Sequence, residues 1–257
     1  MATARTATTW PTDVLTLAVD IGGSGIKASI VDAQAVMVSE RVRVDTPYPC
    51  PPELLVETVA GLAQPMLGVN RVSVGFPGLV RDGRVIEVPS LSRSVYGGDR
   101  DPGLAAQWHG FDLGHALAQR FGLPTKVVND ADMQGCAVVL GEGLEFVLTL
   151  GTGVGTALFS NGALLPHLEL SHGPFKGGLS FDIALGNAQR KEIGNERWSK
   201  RVRRAIVAFD EMLYFDHLYV GGGNAKHLAP ADIGPRGEII ANTAGIIGGV
   251  RVWDLDA

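Results

Sequence analysis

Apolar residues in this chain form short runs that predict buried strands and longer stretches with the 3.6-residue spacing of helices. In the first half the pattern predicts strands at 15–20, 28–31, 71–76 and 125–128, helices at 53–67 and 112–121, and a hairpin around Asp82-Gly83. In the second half it predicts strands at 146–150, 156–159 and 217–220 and helices at 198–215 and 242–252. Strands and helices that alternate in this way indicate an α/β fold.

Two strand–turn–strand units, one in each half, resemble each other. The turn Gly-Ser-Gly-Ile at 23–26 is matched 128 positions later by Gly-Thr-Gly-Val at 151–154, and 128 positions are half of the chain. A repeat of this size predicts an internal duplication, the alternative being a chance likeness of two glycine-rich hairpins. We expect a flexible tail at 1–13, an N-terminal lobe at 14–128 plus 241–257, and a C-terminal lobe at 129–240.

Composition and charge restrict the class of partner. Hydrophobic residues make up 46% of the chain and charged residues 19%, which is the balance of a compact globular protein. The net charge of -5 argues against nucleic acid as a partner, because binding to phosphate backbones depends on clustered Lys and Arg. The one basic run, at 197–204, has helical spacing and predicts a solvated helix face.

The sequence contains neither a targeting signal nor a metal-binding cysteine pattern. The first thirteen residues lack the apolar segment of a signal peptide, and no apolar run reaches the ~18 residues that span a bilayer. Cys50 and Cys136 form no disulfide framework and no C-x-x-C pair. We therefore expect a soluble, cytoplasmic protein without a membrane partner.

Three glycine-rich turns, at 22–25, 151–155 and 221–223, each follow an apolar strand. Successive N–H groups in such turns form concave anion sites, and glycine permits positive φ and close approach. The spacing does not fit a Walker loop, and Ala28 and Thr156 stand where a dinucleotide fingerprint requires its third glycine. The turns therefore predict a nucleotide or polyphosphate ligand.

Two charged residues flank the first turn. Asp20 ends the strand before it, and a carboxylate beside phosphate needs a cation between them, which Mg²⁺ held mostly through water supplies. The alternative is that Asp20 accepts hydrogen bonds from the turn amides. Lys27 either contacts a phosphate or is a solvated strand residue.

Asp130 is the candidate catalytic residue. Phosphoryl transfer depends on positioning, charge neutralisation and an oriented nucleophile, and a carboxylate that accepts the hydroxyl proton contributes ~10²–10⁴ in rate. Asp130 follows a short strand and precedes a predicted helix, so Asn129 and Asp130 are also suited to cap that helix. From the residues alone, a helix-capping role is favoured over a catalytic role for Asp130.

A second polar cluster contains Glu169, Ser171 and His172, before Gly173-Pro174. On a strand exit it offers donors and acceptors for sugar hydroxyls, although a lone histidine in such a setting is more often structural. It forms no evident metal site, because no cysteine or further histidine follows at ligand spacing.

Together these motifs resemble those of the ROK family of sugar kinases and repressors. The matching segments, in family order, are DIGGSGIK (20–27), GFPG (75–78), NDAD (129–132), LTLGTGVGTALFSNG (148–162), ELSH (169–172), YVGGG (219–223) and NTAGIIGG (242–249). The resemblance implies an actin-like ATPase (ribonuclease H-like) fold with an active-site cleft between two lobes. It also implies that the chain is a glucokinase-type hexose kinase of carbohydrate metabolism. Kinases of this family are often homodimers, so the resemblance implies a homodimer as well.

The resemblance implies a reaction and a role for each matched residue. A phosphoryl group from polyphosphate or ATP passes, with Mg²⁺, to the 6-hydroxyl of glucose or a related hexose, with Asp130 as general base and Asp20 holding Mg²⁺ through water. The implied sugar-binding residues are Asn129, Glu169, His172 and Gly78. The implied phosphate- or nucleotide-binding residues are Asp20, Gly22, Gly23, Ser24, Gly25, Lys27, Gly151, Thr152, Gly153, Gly221, Gly222 and Gly223.

The chain departs from the family pattern at the zinc and sugar segments. Residues 173–186 read GPFKGGLSFDIALG where most members have zinc-binding cysteines, so we expect no structural zinc and a closer likeness to the small polyphosphate/ATP glucokinases. Ser171 replaces a glycine, and residues 88–93, VPSLSR, lack the sugar-contacting asparagine. The altered segment motivates an alternative, a non-catalytic sugar-binding or regulatory protein, against which Asp130 and the glycine turns argue.

Overall fold

The structure is a computed structural model that describes residues 10–66, 68–241 and 243–254. It contains two compact units, of which the first runs to Ala137 and resumes at Gly245, and the second spans Val138–Ala244. Residues 129–137 thus belong to the first unit, whereas the predicted lobe boundary lay at 129. Within the described ranges, no helix is long and apolar enough to cross a membrane.

The first unit is built on a five-stranded sheet. The strands of the unit are β1 (Thr16–Ile21), β2 (Ile26–Val31), β3 (Val42–Val44), β4 (Arg71–Phe76), β5 (Leu79–Arg81), β6 (Arg84–Glu87) and β7 (Thr125–Asn129), of which β5 and β6 form a separate two-stranded sheet. Its first helices are α1 (Pro52–Ala63), α2 (Pro102–Trp108), α3 (Leu113–Phe121) and α4 (Asp130–Cys136). The sheet order is β3-β2-β1-β4-β7. β1 pairs antiparallel with β2 and parallel with β4, β2 pairs antiparallel with β3, and β4 pairs parallel with β7.

The second unit repeats this arrangement. Its strands are β8 (Leu144–Leu150), β9 (Val154–Ser160), β10 (Ala163–Leu164), β11 (Pro174–Lys176), β12 (Leu179–Ser180), β13 (His217–Gly221) and β14 (Gly237–Ile239), and its helices are α5 (Phe181–Leu185), α6 (Asn187–Ile193), α7 (Asn195–Leu213) and α8 (Pro230–Ile233). The sheet order is β10-β9-β8-β13-β14, with the same sequence of antiparallel and parallel pairs. Two sheets of one strand order are what an internal duplication produces.

The two glycine turns differ in length by one residue. In the first, Ile21 pairs with Ile26, whereas in the second Leu150 pairs with Val154. The strand residue that corresponds to Asp20 is therefore Thr149, and the second turn has no carboxylate at that position.

β1 is buried on both faces, which explains its nearly unbroken apolar sequence. Leu17, Val19 and Ile21 belong to a core shared with α1 and α3. Successive strand residues point to opposite faces, so Ala18 lies on the other face. There it clusters with the last helix of the chain, α9 (Ala244–Arg251). Asp20 follows the same alternation as Ala18 and therefore lies on the α9 face.

Two glycines bring the backbone of α9 against the rest of the first unit. A Cβ at Gly248 would overlap the carbonyl oxygen of Met133 in α4, and one at Gly249 would lie 2.9 Å from the Ala18 Cβ. Ser73 Oγ of β4 donates to the carbonyl of Gly249. The C-terminal helix therefore completes the first unit through contacts that side chains larger than hydrogen would prevent.

Aromatic rings and a buried arginine hold the chain ends in place. The predicted tail extends to residue 13, but residues 1–9 lie outside the described residues and Trp10 packs edge-to-face on Trp253 at 5.2 Å. The Arg71 guanidinium lies 4.9 Å from the Trp10 ring centre and 5.2 Å from that of Trp253. These distances are within the range of cation–π attraction.

The predicted helices are present with altered ends. The helix expected at 198–215 is α7, which ends at Leu213 because Tyr214 adopts a left-handed conformation with φ 51. The helix expected at 53–67 is α1, which ends at Ala63, and Leu67 lies outside the described residues. The helix expected at 242–252 is α9, and Asn242 also lies outside them.

We predict that Gly248→Ala destabilises the protein by about 1–3 kcal/mol or more, because the added methyl meets the Met133 carbonyl. Gly61→Ala is the matched control, since Gly61 is an exposed helical glycine with nothing within 4 Å of an added Cβ. It should gain about 0.5–1 kcal/mol from helix propensity. Chemical denaturation measures both, and equal effects of the two substitutions would contradict the close contact.

Candidate active site

The first glycine turn has all four of its carbonyl oxygens hydrogen-bonded. Gly22 N–H closes the turn by donating to the Gly25 carbonyl at 3.0 Å. Three side chains from β3 and the residues after it hold the other oxygens: Thr46 Oγ1 donates to Gly22 at 2.6 Å, Tyr48 Oη to Gly23 at 2.7 Å and Arg43 Nη2 to Ser24 at 3.1 Å. With its carbonyls engaged, the turn offers an anion the N–H groups of residues 23–25.

Asp20 and Lys27 form an ion pair beside this turn. They are direct partners in the β1–β2 register, and Lys27 Nζ lies 3.0 Å from Asp20 Oδ2. A Cβ at Gly245, at the start of α9, would lie 3.5 Å from the Asp20 Cγ. Lys27 therefore neutralises the Asp20 carboxylate, which ends the strand before the turn.

The second glycine turn follows the same principle with different partners. Gly151 N–H donates to the Gly153 carbonyl at 2.9 Å. The backbone N–H of Asn187 contacts the carbonyls of Gly151 and Thr152, and Asn224 Nδ2 donates to that of Gly151 at 2.9 Å. Here too the carbonyl oxygens are held by other parts of the unit.

Asp182 is an acidic neighbour of the second turn that the sequence analysis missed. Its Oδ1 accepts from the Val154 N–H at 2.7 Å and occupies the space that a Cβ at Gly153 would need. Asp182 comes 28 residues after Val154, and no sequence motif signals this contact. Asn224 could have been suspected, because it directly follows the glycines at 221–223.

The third glycine turn is fixed against the second. Gly222 has φ +83, and a Cβ there would overlap the Leu150 carbonyl oxygen at the end of β8. Asn224 N–H donates to the same carbonyl at 2.9 Å. Glycine is required at 222 for conformation and for space alike.

Asn129 caps α4, as the residues alone had favoured. Its Oδ1 accepts from the Ala131 N–H at 2.7 Å, and its Nδ2 donates to the Gly78 carbonyl at 3.1 Å. Asp130 is the first residue of α4, and its Oδ1 also accepts from Ala131 N–H, at 2.9 Å. Asn129 therefore joins the start of α4 to the turn after β4.

Gly78 and the segment after β6 form a packed corner. A Cβ at Gly78 would overlap the carbonyl oxygen of Glu87. In the VPSLSR segment Leu91 is fully buried and Arg93 Nε donates to the Pro89 carbonyl at 3.0 Å. Ser92 is buried and its Oγ has no hydrogen-bond partner among the described residues. The altered segment is thus part of the core of this unit rather than a loose insertion.

Glu169 lies between two imidazoles. His172 Nε2 is 3.7 Å from Glu169 Oε2, and His167 Nε2 is 3.6 Å from Glu169 Oε1. The cluster lies at a 3-10 turn, Leu170–His172, where the sequence analysis expected a strand exit. His167, which is buried, was missed by the sequence analysis, although it is two positions from the chosen glutamate.

The first turn is compatible with a magnesium ion, since Mg²⁺ is often bound by one or two carboxylates together with substrate phosphates and water. Asp20 is such a carboxylate and lies at the turn. In the part of the chain that the structure describes, no group of three or more His, Cys, Asp or Glu side chains could hold a metal ion. The expected lack of structural zinc stays a prediction.

A comparison with known protein families identifies the chain. A family model described as ROK family matches residues 16–167, which is more than half of the chain. The chain belongs to the ROK family. The polyphosphate glucokinase of Mycobacterium tuberculosis (strain CDC 1551 / Oshkosh) is 29% identical to it over 251 residues, which cover 90% of this chain and 88% of the relative.

Solved structures confirm the predicted actin-like ATPase fold. The inorganic polyphosphate/ATP-glucomannokinase of Arthrobacter sp. strain KM is similar with a TM-score of 0.79 and 29% identity, over 95% of this chain and 100% of that chain. A ROK family glucokinase from Streptomyces griseus, in complex with glucose and AMPPNP, is similar with a TM-score of 0.75 and 18% identity. That likeness covers 93% of this chain and 98% of the glucokinase.

We predict that Asn129→Asp lowers the free energy of unfolding by about 1–3 kcal/mol, because a carboxylate oxygen would replace the amide that donates to Gly78. Asp112→Asn is the matched control: Asp112 caps α3 by accepting from His115 N–H, and it pairs at 2.8 Å with Arg84, whose side chain is exposed. Its effect should stay within about 1 kcal/mol. Chemical denaturation that gave both exchanges the same small effect would contradict the dual role of Asn129.

Proposed function

We propose that this ROK protein is a glucokinase-type hexose kinase that transfers a phosphoryl group from polyphosphate or ATP to the 6-hydroxyl of glucose or a related hexose. The observation that carries the proposal is the pair of glycine turns, whose carbonyl oxygens are held by other groups so that N–H groups remain to bind phosphate. The names of the relatives, which are polyphosphate glucokinases and a glucomannokinase, support the same activity.

In this proposal Asp130 is the general base. It is the first residue of α4, and its Oδ1 accepts from the Ala131 N–H at 2.9 Å, which fixes the position of the carboxylate. The carboxylate accepts the proton of the sugar hydroxyl as the oxygen attacks the terminal phosphorus of the donor. The bond between that phosphorus and the donor's bridging oxygen then breaks. Asn129 orients the base by capping the same helix, and Gly78, whose carbonyl accepts from Asn129 Nδ2, lies beside the sugar in this proposal.

Glu169 and His172, in the second unit, bind hexose hydroxyls in this proposal. The glutamate accepts hydrogen bonds and the imidazole donates or accepts them, so the pair can fix a hydroxyl in one orientation. His167 Nε2 lies 3.6 Å from the other oxygen of Glu169. A fixed orientation of the hexose increases the rate because the reacting atoms are held close to the attack geometry.

The donor's phosphates bind to both glycine turns in this proposal. The residues of the first are Asp20, Gly22, Gly23, Ser24, Gly25 and Lys27, and those of the second are Gly151, Thr152 and Gly153. Gly221, Gly222 and Gly223 border the nucleoside when the donor is ATP. Mg²⁺ bound through water at Asp20 would neutralise phosphate charge, and Lys27, the ion-pair partner of Asp20, lies at the same turn.

A non-catalytic sugar-binding or regulatory protein is the alternative, and the altered VPSLSR segment favours it. The homodimer and the cytoplasmic location stay predictions. Val207 and Met212 are exposed apolar residues of α7 and are candidates for the dimer interface.

We predict that Asp130→Asn lowers kcat by ~10²–10⁴ with either donor while glucose still binds, because the amide cannot accept the hydroxyl proton. The measurement is a coupled assay for hexose 6-phosphate with Mg²⁺, glucose, and ATP or polyphosphate, with glucose binding followed by calorimetry. Glu53→Gln is the matched control, since Glu53 is a first-turn carboxylate of another helix, α1. A wild-type protein that bound glucose without any turnover would support the non-catalytic alternative.

The basic face of α7 allows a test of donor choice. Lys200 pairs with Glu196 at 2.7 Å and Arg203 with Asp232 at 3.5 Å, so much of this face is already neutralised. Arg201 donates to Gln189 at 2.6 Å. If the face steers a polyanion, the double change Lys200→Glu and Arg204→Glu raises the KM for polyphosphate about 3- to 10-fold at low salt and leaves the KM for ATP unchanged.

Arg41→Glu, at an exposed position of the first unit, controls for a charge reversal away from α7; it changes the net charge by two, and the double variant changes it by four. Kinetics at two salt concentrations measure the effect. If the double variant and the wild type have equal KM values for polyphosphate, the basic face of α7 does not contribute to the binding of this donor.

A further inference from the structure

We propose that Tyr48 is a positioning residue that couples the segment 88–93, whose Val88 packs on Gly78 of the proposed sugar site, to the donor-phosphate turn 22–25. The inference rests on the proposed kinase function and adds a physical connection between the two substrate sites. The family resemblance assigned Tyr48 no role, and it lies 23 residues after the first turn.

One hydroxyl contacts both segments. Tyr48 Oη lies 2.7 Å from the Gly23 carbonyl oxygen and 3.1 Å from the Ser90 carbonyl oxygen. A phenol has a single hydrogen to donate, so the two carbonyls share or compete for it. Any displacement of Ser90 that accompanies sugar binding therefore changes the hydrogen bond that holds Gly23.

Close packing around Gly23 limits the movement of the Tyr48 hydroxyl and of the two carbonyls that it contacts. A Cβ at Gly23 would lie 3.5 Å from the Ser90 Cβ, 3.7 Å from Tyr48 Oη and 3.9 Å from the Tyr96 ring. The ring of Tyr96 packs edge-to-face on that of Tyr48, with centroids 6.0 Å apart. Residues from three separate segments thus meet at one turn, and closely packed groups transmit small displacements.

The hydroxyl stays a donor at physiological pH. Burial raises the pKa of Tyr48 to about 12, with Cys50 and Tyr96 adding to the rise and Arg93 opposing it. Tyr48 therefore remains protonated, and its hydrogen is available to the two carbonyl oxygens over the whole range in which an assay is practical.

The decisive variant is Tyr48→Phe, which removes the hydroxyl and keeps the ring. The measured quantity is the factor by which saturating glucose changes the Kd of a non-hydrolysable ATP analogue. By linkage, the analogue changes the Kd of glucose by the same factor. In the wild type we expect glucose to tighten analogue binding, and in Tyr48→Phe we expect that factor to shrink by about 3- to 10-fold, the range of one lost hydrogen bond.

Two control variants separate coupling from general damage. Tyr219→Phe deletes another buried hydroxyl, which donates to Glu145 at 2.8 Å in the second unit, and should lower the thermal midpoint while leaving the coupling factor unchanged. Thr46→Val removes the donor to Gly22 but not the link to Ser90, so it should weaken analogue binding with and without glucose alike. A Tyr48→Phe protein that kept the wild-type coupling factor would overturn the proposal.

Hydrogen exchange of the wild type gives a test that needs no variant to fold. Glucose alone, without any donor, should slow amide exchange in residues 22–25. Glucose that binds in calorimetry without altering exchange there would also overturn the proposal. If glucose does not bind and no hexose is phosphorylated, the kinase function itself fails, which is a different result.

Discussion

The first unit depends on the close approach of α9 to α4 and β1, which two glycines make possible. Gly248 lies against the Met133 carbonyl and Gly249 against Ala18, where any side chain would force the helix away. This contact fixes the positions of two elements next to the candidate site. It supports α4, which begins at Asp130, and it brings the start of α9 beside Asp20. A small change in the position of α9 would therefore alter the support of α4 and the surroundings of Asp20.

Both glycine turns acquire their polarity from the groups around them. A turn by itself has as many carbonyl oxygens as N–H groups and no net preference for an anion. In the first unit Thr46, Tyr48 and Arg43 hold the carbonyls, and in the second Asn187 and Asn224 do so. The two units thus reach the same result with unrelated residues, although they share a strand order.

Local patterns predicted most regular elements but not the contacts of the candidate site. β4 was expected at 71–76 and lies there, because its apolar run is bounded by clear turn residues. Asn129 was recognised as a helix cap, since capping is a local interaction between neighbours. Tyr48 and Asp182 were missed, because their partners are 25 and 28 residues away in the chain and no spacing rule connects them.

The sequence by itself determined the fold class, the position of the glycine turns, Asp130 at a helix start and membership of the ROK family. These follow from periodicity, from short motifs and from their order along the chain. Only the tertiary structure decided which side chains hold the turn carbonyls, that Lys27 pairs with Asp20, and that residues 129–137 belong to the first unit. Such contacts join residues distant in sequence, and they depend on packing that no local pattern encodes.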